Sequence, residues 1–176
     1  MTACRLLLAR HAPLAQPGLA GRRDLPADCG DRAGLDWLGK QLSGLPLLCS
    51  PALRCRQTVA AMGREAEPVA DLWEQDFGLW ETEGFPDLGP LPPKALAAHR
   101  PKDGESFLDM AARVQPVLLR QSGTVGIVAH AGTVRAALAL AVGPEALSFA
   151  VAPLSLTILT RSPGGWAVEA VNRIAP

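Results

Sequence analysis

Two histidines in this chain stand in the same setting. His11 ends the apolar run "LLLARH", His130 ends "GIVAH", and the chain has only three histidines in all, so two of them share this pattern. A neutral imidazole near pH 7 offers a nitrogen lone pair, and its other nitrogen can be fixed by a backbone carbonyl. Arg10, immediately before His11, brings a guanidinium fork that matches phosphate oxygens. His130 runs straight into "AGTVRAAL", a helix start rich in small residues, whose free N–H groups favour an anion. If the two runs are neighbouring strands, the chemistry suggested is that of a phosphoryl group held between two imidazoles. Either histidine alone would fit an ordinary, hydrogen-bonded, partly buried residue. The matched pair points to a shared site.

The elements that must position this pair read as follows. "CRLLLAR" is a strand apolar on both faces, as in a parallel sheet. Residues 12–31 are rich in Gly and Pro and form a loop long enough to suggest a functional role. "RAGLDWLGKQL" has Leu35, Leu38 and Leu42 at helical spacing. "LPLLCS" is a short strand, and "SPALRCRQTVAAMG" reads as a helix opening on Ser50-Pro51, Ser as cap and Pro in the first turn. After a further short strand comes an irregular stretch at about 82–104. It holds Pro86, Pro90, Pro92, Pro93 and Pro101, with a short helix around "KALAAH", and is expected to be a small lid or crossover. "GESFLDMAARVQPVLLRQ" is a helix with Phe107, Met110, Val114, Val117 and Leu118 on one side. "GTVGIVAHAG" is a strand, "GTVRAALALAVG" a helix closed by Gly143, and "LSLTILTR" and "WAVEAVNR" form a hairpin through "SPGG". This alternation predicts one α/β domain over residues 1–176, a three-layer α/β/α sandwich. Its central sheet should be mostly parallel, with a C-terminal β-hairpin.

Composition narrows the function. The 17 basic and 17 acidic residues cancel, so nothing draws the chain toward nucleic acid or an anionic membrane, and anion binding must come from a local cluster. No apolar stretch approaches the roughly 20 residues needed to span a bilayer, and the N-terminal run is too short for a signal-peptide core. A cytoplasmic protein is expected. Cys4, Cys29, Cys49 and Cys55 show no Cys-x-x-Cys spacing and read as buried thiols, with neither a zinc site nor a disulfide framework.

Five blocks, in order along the chain, resemble the histidine phosphatase superfamily, which includes phosphoglycerate mutases. "LLLARHAP" resembles its Arg-His-Gly signature and "CSPALRCRQTV" its Ser-Pro-x-x-Arg-x-x-Gln-Thr-Ala segment. "LWEQDFGLWE" is similar to Glu-x-x-Phe-Gly-x-Trp-Glu, "DGESFLDMAARV" to the Gly-Glu-Ser helix start, and "VAHAGTVRAAL" to His-Gly-Gly-x-Ile-Arg. The short "GRRDLP" further resembles the α-ribazole phosphatase branch, which acts in cobalamin assembly. The resemblance implies a metal-independent phosphatase without cofactor, acting on a small phosphorylated metabolite such as α-ribazole 5′-phosphate. A mutase or a non-catalytic phosphate-binding module are the alternatives.

Roles follow residue by residue. His11 would be the nucleophile, forming a phosphohistidine that splits one displacement into two. Arg10 and Arg54 would clamp phosphate. His130, with N–H groups at the helix start including that of Ala131, would stabilise charge on the transferring group. Glu74 would be the general acid and then base, with Asp76 and Glu81 as rivals. Arg22 and Gln57 would contact substrate, and Glu105 would cap or orient. The chain departs from the pattern at Ala12 and Ala131, where the family has Gly. It also departs at Pro17, where the family often has a phosphate-binding Asn that Gln16 would have to replace. "DFG" at Asp76 resembles a kinase motif, but no Gly-rich loop or catalytic-loop motif accompanies it. There is no Gly-x-Ser-x-Gly of a serine hydrolase. The single Cys-x5-Arg, from Cys4 to Arg10, lies in a strand.

Overall fold

The computed structural model describes residues 3–176. Along the chain run β1 (Cys4–Arg10), α1 (Arg32–Gln41), β2 (Leu47–Cys49), α2 (Leu53–Ala61), β3 (Glu67–Pro68) and a 3-10 turn, Ala70–Leu72. They are followed by α3 (Trp80–Glu83), α4 (Pro93–Ala98), α5 (Phe107–Leu119), β4 (Gly123–Ala129) and α6 (Ala131–Val142). A second 3-10 stretch, Gly143–Ser148, then leads to β5 (Leu156–Ser162) and β6 (Gly165–Arg173).

The strands form one sheet in the order β3-β2-β4-β1-β5-β6. The pairs among β3, β2, β4 and β1 are parallel, and β5 and β6 are added antiparallel as a hairpin. β1 lies at the centre and alternates between two apolar layers. Leu6 and Leu8 pack with Met110 and Val114 of α5 and Val134 and Leu138 of α6. Leu7 and Ala9 pack with Leu35 and Leu38 of α1 and Val59 of α2. A strand buried on both faces needs no polar alternation, which is why "LLLA" is apolar throughout.

The helices begin and end as their residues dictate. In α1 the Asp31 carboxylate accepts from the Gly34 N–H at 2.9 Å, an N-cap. In α5 Ser106 and Asp109 form a reciprocal capping box. α6 closes at Gly143, whose φ of 67° suits the residue without a side chain. α2 departs from the sequence reading. It starts at Leu53, with Ala52 as the cap residue, and Ser50 does not cap it. The Leu53 N–H is satisfied instead by the Asp24 carboxylate at 2.6 Å. Ser50, just after β2, accepts from the Ala52 N–H at 3.3 Å and keeps its hydroxyl hydrogen for another partner.

Cys4, Cys49 and Cys55 are buried free thiols, while Cys29 is only partly buried. Among the described residues no helix is long and apolar enough to cross a membrane.

Candidate active site

The parallel register of β1 and β4 pairs Cys4 with Gly123 and continues without a shift to Arg10 opposite Ala129. The next residue on each strand is therefore a histidine, and the two imidazoles meet. Their ring centroids are 5.3 Å apart, with the planes at 68°. This is the strand-end crevice in which open α/β sheets bind ligands. A cavity of about 360 Å³ opens here, lined in its polar part by Arg10, His11, Arg54, Glu74, Gly132 and Arg135.

His11 is 4% exposed, and its Nδ1 lies 2.6 Å from the carbonyl oxygen of Ala12. A carbonyl can only accept, so Nδ1 carries the hydrogen and Nε2 keeps its lone pair. Burial depresses the imidazole pKa to about 3, and the cations Arg54 and Arg10 push the same way. The ring is neutral at pH 7. The Ala12 N–H donates to Thr58 Oγ1 at 2.9 Å, and that hydroxyl donates to the Arg54 carbonyl at 2.7 Å. The peptide that holds His11 is thus anchored to α2.

His130 is fully buried, and its Nε2 sits 2.8 Å from Ser50 Oγ. Cys55 Sγ lies 3.6 Å from the same nitrogen. Burial, with Arg54 and His11 behind it, lowers this imidazole well below the ordinary histidine value. Burial also pushes the Cys55 thiol up, so it is a packed neighbour and not a thiolate.

Three arginines surround the pair. Arg10 donates to the Val151 carbonyl at 2.6 Å. Arg54 is fully buried and donates to the carbonyls of Arg23, Ala20 and Gly21. The Nε of each is buried with no partner among the described residues. Arg56, two residues on, is exposed. Arg135 donates through Nε and Nη2 to the Phe149 carbonyl at 3.2 and 3.1 Å. Burial draws the Arg10 and Arg135 guanidinium values down, Glu74 acting in the opposite sense on both. Both remain cations.

The structure separates Glu74 from its rivals. Glu74 is 8% exposed and lines the cavity. Its Oε1 accepts from the Gln75 N–H at 2.9 Å and its Oε2 from the Gly132 N–H at the start of α6 at 3.3 Å. Glu81 instead accepts from the backbone N–H groups of Arg22, Arg23 and Phe77. Asp76 Oδ1 accepts from the Gly78 N–H. Both serve loops and neither lines the cavity.

Not every residue singled out in the sequence reaches the cavity. Arg22 is exposed, pairs with Asp76 and Glu105, and lies over the Trp73 ring. Gln57 accepts from the Ala27 N–H and pins the long loop. Gln16 and Pro17 line a separate open groove. Ala131 does line the cavity. Glu105 accepts from Arg113 and from the Asp76 N–H, an orienting position. Three further residues join the site in the structure: Arg135, Ser50 and Arg113. Arg135 was legible as the residue four after Ala131, one helical turn along the same face. Ser50 carries a capping signature in the sequence, but its Oγ lies 2.8 Å from His130 Nε2. Arg113, which gathers the carbonyls of Asp71, Trp73 and Glu74, has no local signature, because carbonyl acceptors leave none in sequence. Among the described residues no group of three or more His, Cys, Asp or Glu is placed to hold a metal ion.

The sheet order, the two covering layers and the histidine pair at the strand ends define an α/β protein of the phosphoglycerate mutase-like fold. The family model of the histidine phosphatase superfamily (branch 1) matches residues 6–174, and the chain belongs to that superfamily. The protein TTHB049 of Thermus thermophilus is 26% identical over 97% of this chain and 96% of its own, with a TM-score of 0.74. A mycobacterial glucosyl-3-phosphoglycerate phosphatase is 22% identical over 97% of this chain and 99% of its own, with a TM-score of 0.80, a likeness of fold. Comparison with the curated proteins finds no match.

Proposed function

We propose that the protein is a phosphoric monoester hydrolase acting through a phosphohistidine on a small phosphorylated metabolite. The observation that carries this reading is His11. Its Nδ1–H is tied to the Ala12 carbonyl, its ring is neutral, and two arginines stand on the same cavity wall.

In the first step His11 Nε2 attacks phosphorus. The bond from phosphorus to the alcohol oxygen breaks, and Glu74 delivers a proton to that oxygen. Arg10, Arg54 and the N–H groups at the start of α6 meet the charge on the phosphoryl oxygens. Neutral His130, next to the nucleophile, contributes a polar ring without adding a repelling proton. In the second step water attacks phosphorus, Glu74 takes a proton from it, and the N–P bond breaks to restore His11. The stabilising groups are guanidinium and N–H groups, so activity is expected to survive exhaustive chelation.

The superfamily membership supports the reaction class, and the name of the mycobacterial structural relative agrees with it. α-Ribazole 5′-phosphate, suggested by "GRRDLP", is one substrate of the panel that should be tested. The experiment is rapid denaturation during turnover of a phosphate-labelled ester. Acid-labile, base-stable label on His11 is the expected result. Label on another residue, or none with a fast substrate, would overturn the reading. Loss of activity on chelation, restored by added metal, would overturn the metal-free mechanism.

A further inference from the structure

The cavity has a second part that the phosphate chemistry does not use. Phe77, Trp80, Phe85 and His99 all line it, and their rings form one connected wall. Phe77 and Phe85 stand edge to face with centroids 5.6 Å apart. Trp80 lies 5.5 Å from Phe85 and stacks on His99 at 5.4 Å with the planes 17° apart. Phe85 is 64% exposed, although its ring belongs to this cluster. An exposed aromatic at a cavity rim is surface that a ligand would bury.

Rings make up most of this wall, and its polar atoms are the Trp80 indole N–H and the His99 ring nitrogens. The Gln75 carboxamide already donates to the Glu105 carbonyl at 2.7 Å. The cavity's arginines are each held by backbone carbonyls, and Arg10 and Arg54 are committed to the phosphoryl group. A polyol or a second anion would lose its water here and find few matching partners beyond the Trp80 and His99 nitrogens. A flat apolar group would gain contact with ring faces and edges. The cavity, at about 360 Å³, is at the small end of the roughly 300–1,000 Å³ seen for small-molecule sites. That size suits one ring system beside the phosphate.

We infer that the wall formed by Phe77, Trp80, Phe85 and His99 is the subsite for the alcohol part of the substrate, and that this part carries a flat, apolar ring system. Glycerates and free sugar phosphates are then poor substrates. The inference rests on the phosphatase reading, and the test separates the two.

Leaving-group reactivity must be held level, so the probes are phosphates of primary alcohols. They are 2-naphthylmethyl phosphate, benzyl phosphate, glycerol 3-phosphate and glucose 6-phosphate, with nitrophenyl phosphate as the reporter of turnover. The expected kcat/KM for the naphthylmethyl ester exceeds that for glycerol 3-phosphate by about 10–100-fold, the worth of burying one large apolar side group. Phe85→Ala, at an exposed position where the fold tolerates truncation, and Trp80→Ala should each shrink that ratio several-fold, mainly through KM. Turnover of nitrophenyl phosphate that requires His11, together with a flat profile or a preference for the polyols, overturns the subsite. So does a ratio that neither variant changes. If nothing is hydrolysed, binding of naphthylmethyl and glycerol phosphonates, measured by calorimetry, still decides. Selective binding of the first upholds the subsite and leaves only the phosphatase reading to fall, and equal or absent binding overturns the subsite.

Discussion

Glu74 is the residue whose role is most open to a direct chemical test. An alkyl alcohol is a poor leaving group that needs a proton as its bond to phosphorus breaks, whereas nitrophenol leaves as its anion. A general acid contributes about 10²–10⁴-fold, mostly for the poor leaving group. Glu74→Gln keeps the shape and removes the proton source. Formation of the phosphoenzyme from an alkyl phosphate should therefore slow far more than from nitrophenyl phosphate, as read by stopped-time quench of the first step alone. Asp76→Asn should show no such differential, because Asp76 is engaged with Gly78 and Arg22. A differential at Asp76 and not at Glu74 would reverse the assignment. At this scale the candidate site is legible in the sequence where its residues sit in a run of neighbours. His11 and His130 each close a recognisable strand, and Glu74 lies within a recognisable block. The sequence misleads where a residue type has two uses. Ser50 before Pro51 carries a capping signature, yet its hydroxyl faces His130.

The start of α6 is the element on which the site depends most closely. Gly132 donates to Glu74 and leaves no space for more than hydrogen on its Cα. An added Cβ would press on Glu74 Oε1 and lie 3.0 Å from Met110 Cε. Gly132→Ala should gain a little helix propensity, offset by the shift it forces on the flexible tips of Glu74 and Met110. The expected outcome is a small change in Tm and a loss of activity of about 10–100-fold as Glu74 is displaced. A variant with full activity would show that the carboxylate position does not matter. The elements themselves were legible because their apolar periods are strong, as in α5, where all five predicted inward residues are buried. The start of α2 was not, since its cap comes from Asp24 in the long loop, distant in sequence.

Across the whole molecule, the buried neutral histidines tie stability to pH. His11 and His130 titrate below the ordinary histidine value in the folded chain, His11 at about 3. In the unfolded chain both take up protons as pH falls below about 6.5. Over that window the unfolded state binds more protons, so stability falls as pH falls. By about pH 5 His11 accounts for about 2 kcal/mol of lost stability, and His130 acts in the same direction. Denaturant melts between about pH 7 and about pH 5 should therefore give a shallower dependence in His11→Gln than in the parent chain. Parallel lines would mean that His11 takes up its proton in the fold. The sheet's parallel character was legible from strand–helix alternation. Its order was not, because strand neighbours are chosen by packing between segments far apart in the chain.

The central place of β1 has a consequence for how the protein is made. It is made before its two neighbours, β4 and β5, which are residues 123–129 and 156–162. Until residue 123 and beyond have been synthesised, "LLLA" has no partner on either edge. Pairings this distant form slowly, and an unpaired apolar strand is sticky while it waits. A nascent chain halted before residue 123 should therefore be held by chaperones or precipitate, and should be degraded rapidly by added protease. A chain released after β6 should become resistant. Solubility and protease resistance of a short fragment equal to those of the full chain would show that β1 finds shelter without its final neighbours. The strand that leads into His11 is thus made long before the segments that must flank it.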